Sequence, residues 1–146
     1  MIRLFYFFTF LLLSSTVAWA QLLPPNQLEQ DACTPIILCG ETFTSPYSYQ
    51  GVGTTNNLTT TPCSGGENNA VWLRLNITGP GIIVFEIIPL NNADDYDFAV
   101  VNATGVNCNS LTSSNVIRCN FNNNQPIFNN GIVGLNTSSL INNVTA

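Results

Sequence analysis

Beyond position 20, no window of 11 residues places large apolar side chains at i, i+3, i+4 and i+7, so no amphipathic helix has a face to bury. What remains is β-structure. The β-prone runs are short and are punctuated by clusters of Asn, Gly, Thr and Ser, residues that set turns through positive φ or side-chain bonds to the backbone. ETFTSPYSY (41–49) is broken by Pro46, which fits an edge or bent strand. GVGTTNNLTTTPCSGGENN (51–69) is a long loop. In AVWLRLNI (70–77), Val71, Leu73, Leu75 and Ile77 alternate with Trp72, Arg74 and Asn76, the period of a half-buried strand. Thr78-Gly79-Pro80-Gly81 predicts a tight turn into IIVFEII (82–88), whose nearly continuous apolar character predicts a strand covered on both faces. DDYDFAVVN, NVIRCNF and PIFNNGIVGL supply three further runs, with Tyr96, Phe98 and Val100 on one face of the first. About six strands of this kind predict an all-β, antiparallel β-sandwich.

The first 20 residues carry an address. Arg3 precedes the apolar run LFYFFTFLLL, and Ala18-Trp19-Ala20 closes the segment as a small-x-small cleavage site. The run is about half of the ~20 residues that span a bilayer, so a cleaved signal peptide is favoured over a membrane anchor. The expected organisation is a signal peptide over 1–20, a leader over 21–30 and one sandwich domain over 31–146, with no membrane span after cleavage. Without Arg3 the chain has eight acidic and two basic residues, a net charge of −6. With no Lys and no His, it lacks a basic surface for nucleic acid and cannot build Ser-His-Asp, Cys-His or His-metal chemistry.

Cys33, Cys39, Cys63, Cys108 and Cys119 all follow the signal, and export makes disulfides the default. A four-thiolate zinc site is disfavoured because no CxxC pair exists. Five is odd, so one thiol stays free, pairs with another chain or has its partner elsewhere. Cys108 and Cys119 bracket a polar loop and are the preferred pair, a closure contributing roughly 3 kcal/mol in the chain-entropy picture. The second bridge draws on Cys33, Cys39 and Cys63.

Asp94, Asp95 and Asp97 are the only clustered acids; with Asn91 and Asn92 beside them they offer the hard oxygen ligands that Ca²⁺ takes. The EF-hand pattern is absent, and acids at a strand start also cap turns. Asp95 and Asp97 share a strand face at roughly 7 Å, as in any D-x-D strand, which does not single out a glycosidase or aspartic-protease pair. Trp72 and Tyr96 are the aromatic candidates for stacking on a ligand such as a sugar ring, with burial the competing role for Trp72. Five N-x-S/T triplets begin at Asn57, Asn76, Asn102, Asn136 and Asn143, a number that the abundance of Asn and Thr explains.

The order DACTPIILCG, PCSGGENNAVWLRLNITGPGIIVFEIIPL, DDYDFAVVNATGVNC and VIRCNF resembles the N-terminal β-sandwich domain of large secreted proteins from gliding and related bacteria. Those domains are similar to pre-peptidase C-terminal and CUB-like jelly-roll domains, in proteins that usually end in a type IX secretion, gliding-motility-associated sorting domain. The resemblance spans Asp31 to Leu135. It implies a jelly-roll-like sandwich and a non-catalytic module for adhesion or for carbohydrate or protein contact at the cell surface. Family members continue past the position of Leu135 into strands that close the sandwich, so the resemblance marks this chain as a fragment with an unclosed sheet. It carries Asp95 and Asp97 over as calcium candidates.

The expected function is therefore a secreted, non-enzymatic adhesion or ligand-binding module whose partner is an extracellular carbohydrate or protein, with calcium as the candidate cofactor. The alternative is an accessory domain of a secreted hydrolase whose catalytic part lies elsewhere; a stand-alone structural or inhibitor-like protein is a third reading.

Overall fold

The computed structural model describes residues 21–59, 66–121 and 131–135. The expected signal peptide, Cys63 and the C-terminal triplets at Asn136 and Asn143 lie outside the described residues. Among the described residues strand makes up 23% and helix 9%, a mostly-β composition, as the lack of helical periodicity predicts.

Among the described residues, eight short strands pair two by two. β1 (Gln21–Leu22) runs parallel to β3 (Tyr47–Ser48), and β2 (Ile36–Ile37) runs parallel to β4 (Leu73–Arg74). β5 (Phe85–Ile87) is antiparallel to β8 (Val133–Leu135), and β6 (Phe98–Val101) is antiparallel to β7 (Val116–Asn120), with a bulge between Val100 and Val101. No two ladders merge into a larger sheet among the described residues. At the centre of the β5–β8 ladder, Gly134 faces Glu86 so closely that a Cβ would stand 2.1 Å from the Phe85 carbonyl oxygen. Phe85 meets Phe98 edge to face at 5.1 Å, which ties β5 to β6.

The core is small. Leu58, Leu111, Val116 and Cys119 are buried together, with Trp72, Ala99, Val101 and Phe121 packed around them. β6 and β7 supply its walls, and the connection between them is set by local polar chemistry. Asn102 and Asn107 each accept the backbone N–H two residues on, and Asn91 does the same before β6. These are Asx turns, which account for part of the chain's asparagine content. Residues 21–30, expected as a leader, contribute β1 and a fully buried glutamine, Gln30. Its amide donates to the Gln50 and Gly51 carbonyls and accepts from Gln27 N, so its polar atoms are met inside.

Three expectations are corrected. Leu73–Arg74 pairs with Ile36–Ile37 rather than forming a hairpin with IIVFEII. A two-residue type I′ turn needs φ > 0 at both central residues, which Pro80 cannot adopt, and neither Gly79 nor Gly81 takes a positive φ. IIVFEII is not covered on both faces: Ile82 is 79% and Ile88 66% exposed, while only Phe85 and Ile87 are drawn inward. The preferred Cys108–Cys119 bridge is replaced by Cys33–Cys108, with Cα atoms 5.1 Å apart. β7 carries Cys119 inward, to 1% exposure in the core, whereas Cys108 stays in the surface connection beside the N-terminal segment. Cys119 is disulfide-bonded too, and Cys39 is exposed and free.

Cys33 and Cys108 are 75 residues apart, so their bridge closes a far longer loop than the expected one. Replacing both by Ser is expected to lower unfolding stability by about 4 kcal/mol in urea titrations. A loss under about 1 kcal/mol would show that the bridge constrains little of the unfolded chain.

Candidate functional site

The half-buried carboxylate of Glu67 gathers three donors. It accepts from Asn57 N at 2.6 Å, Leu58 N at 3.2 Å and Trp72 Nε1 at 2.5 Å. Glu67 N donates in return to the Leu58 carbonyl at 3.0 Å. Gly66 allows this approach, since a Cβ there would lie 2.5 Å from the Thr59 carbonyl oxygen. The Asn57 side chain is buried and accepts from Ala32 N at 2.8 Å, which joins the hub to the N-terminal segment. Asp31 secures the same region: its carboxylate accepts from Thr54 Oγ1 at 2.5 Å and Thr55 N at 2.8 Å. The Thr54 hydroxyl leads the donors that hold the Asp31 carboxyl below its ordinary value. Burial pushes the Glu67 carboxyl above its ordinary value, although its three donors favour the ionised form.

These groups hold loops. Sequence reasoning placed 51–69 as a loop and missed Asp31, Gln30, Asn57 and Glu67 as its anchors. The available signal was the Gly-Gly-Glu step at 65–67, a close backbone approach followed by an acid, within reach of the paired Asn56-Asn57.

Trp72 belongs to this hub. Its indole N–H is taken by Glu67 and its ring packs against the core. Tyr96 stands elsewhere, at the entry to β6, with 39% of its surface exposed. It sits between Asp95 and Asp97 in sequence, and all three are exposed. Asp94 turns back into the preceding loop, where its backbone N–H donates to the Asn91 carbonyl at 2.9 Å and its carboxylate accepts from Asn91 Nδ2 at 3.3 Å. Among the described residues no three His, Cys, Asp or Glu side chains converge as a metal site, so Asp94, Asp95 and Asp97 are neighbours in sequence without sharing a coordination sphere.

What distinguishes this segment is that its polar groups are open. The Tyr96 hydroxyl and the Asp95 and Asp97 carboxylates make no hydrogen bond among the described residues, in contrast to Asp31 and Glu67. Desolvation pushes the Asp97 carboxyl up to about 6, with the Asp95 charge beside it adding to the rise. The Tyr96 phenol is raised by desolvation and by the Asp94 charge. No helix among the described residues is long and apolar enough to cross a membrane. No family model, curated protein or solved structure matches the chain.

A raised carboxyl pKa means that the folded form holds its proton longer than the unfolded form, so Asp97 lowers stability as pH rises from its ordinary value toward 6. Asp97→Asn keeps the shape and removes the charge. Its melting temperature is expected to match the parent near pH 3.5, exceed it progressively across the carboxylate range and stay higher by a constant amount above about pH 7. Melting curves over that range check this, and a difference independent of pH would contradict the assigned desolvation.

Proposed function

We propose that the chain is a secreted, non-catalytic ligand-binding or adhesion module, built as a β-sandwich and carried on an exported surface protein. The observation that carries this reading is the Asp95-Tyr96-Asp97 segment, an exposed ring flanked in sequence by two carboxylates with no hydrogen-bond partners among the described residues. An aromatic face suits the apolar face of a pyranose, and flanking carboxylates accept from sugar hydroxyls. The ligand class this chemistry favours is an extracellular carbohydrate. Export is supported by the Cys33–Cys108 disulfide, a bond that persists in oxidising compartments. The grouping with jelly-roll modules of secreted bacterial proteins rests on the segments between Asp31 and Leu135.

Isothermal titration of the exported chain with cello-, xylo-, laminari- and chito-oligosaccharides tests the reading. Binding to at least one of them is expected with a Kd between about 10 µM and 1 mM, weakened at least tenfold, or about 1.4 kcal/mol, by Tyr96→Ala. No binding to any of the four, or binding that survives Tyr96→Ala, would overturn it.

A further inference from the structure

The four ladders fall into two groups that share no strand. β1–β3 and β2–β4 lie within residues 21–74, and β5–β8 and β6–β7 lie within residues 85–135. One stretch joins the groups, and every residue in it from Leu73 to Val84 is exposed. Residues 75–83 make no backbone hydrogen bond among the described residues. Such a segment has neither burial nor bonds to lose when it is drawn into an extended conformation. We propose that residues 75–83 are a proteolytic cleavage site for an extracellular endoprotease whose pocket takes a branched aliphatic side chain, and that the product is a two-chain molecule that keeps its fold.

Sequence and geometry select this segment over the other exposed connections. A protease reads its substrate as an added strand, so it needs unpaired backbone together with a side chain for its pocket. Ile77 and Ile82, 61% and 79% exposed, offer both. The connections on either side of β6 are tied: Asp94 N donates to the Asn91 carbonyl, Asn102 N to the Asn115 carbonyl and Ser110 N to the Asn107 carbonyl. Residues 39–44 are exposed and lack such bonds, but that run is shorter and contains no Leu, Ile or Val. The Arg74–Leu75 bond is disfavoured as well, because the Arg74 carbonyl accepts from Leu38 N at 3.0 Å. In the cleavage, water adds across a peptide bond: the carbonyl carbon takes the hydroxyl, the departing nitrogen takes the proton, and nothing is oxidised or reduced. The pieces then stay together for two reasons. The Cys33–Cys108 disulfide spans the cut, and the core draws Leu58 and Trp72 from one side and Leu111, Val116 and Cys119 from the other.

Limited digestion of the exported chain with thermolysin, which cuts before large apolar residues, tests the proposal. Cleavage between residues 76 and 83 is expected to run at least about tenfold faster than within residues 39–44 or 91–115, at a rate unchanged by urea below the unfolding transition. Without reductant the cut chain should remain one species with the Trp72 emission of the uncut protein, and dithiothreitol under denaturing conditions should separate it into two. Ile77→Asp, Ile82→Asp and Ile83→Asp together are expected to slow this cleavage at least about tenfold with the melting temperature unchanged, since none of these side chains is in the core. The proposal is overturned by the absence of a cut between residues 76 and 83, or by a cut whose rate climbs with urea as global unfolding does. It is equally overturned by a triple variant cut as fast as the parent, or by halves that part without reductant.

Discussion

The bond from the Trp72 indole to the Glu67 carboxylate decides how the middle of the chain faces the rest. Glu67 also gathers the Asn57 and Leu58 amides, so one half-buried carboxylate fixes the end of the long loop, the start of β4 and the largest ring of the core together. Trp72 alone of residues 71–77 is drawn inward; Leu73, Leu75 and Ile77 are exposed, and so are Arg74 and Asn76 between them. A carboxylate placed at the margin of a core is stable only when its oxygens are met, and here three donors meet them.

The same logic separates two kinds of acid in the chain. Asp31 and Glu67 are saturated by backbone and side-chain donors and hold loops. Asp95 and Asp97 are adjacent to an exposed tyrosine and have no hydrogen-bond donors among the described residues. The two outward surfaces, the acidic aromatic segment and the aliphatic span from Val71 to Leu90, lie in different parts of the sequence and differ in chemistry.

Much of the general character was legible in the residues. The absence of helical periodicity gave a mostly-β chain, and the Asn-rich connections became Asx turns at Asn91, Asn102 and Asn107. The partner choices were not legible. Period two in VWLRLNI predicts one buried face, yet in the fold only Trp72 is drawn inward, by its bond to Glu67, and both faces of residues 73–77 are exposed. The hairpin expectation failed at Pro80, whose ring fixes φ where the turn needed it reversed. Cysteine spacing favoured the short loop from Cys108 to Cys119, yet a bridge depends on where β7 carries its sulfur, and that is set by core packing. Of the candidate ligand residues, Tyr96 stayed on the surface and Trp72 was claimed by the core.

If the Glu67–Trp72 bond orders the centre of the molecule, the Trp72 indole proton must be shielded from solvent. It is the single tryptophan beyond the expected signal peptide, so its resonance stands alone. Hydrogen exchange followed by ¹⁵N NMR is expected to slow this proton at least about a hundredfold relative to a free indole, in step with the β6–β7 amides. Exchange at the free rate would mean that the bond is not maintained, and that the inward turn of Trp72 has another cause.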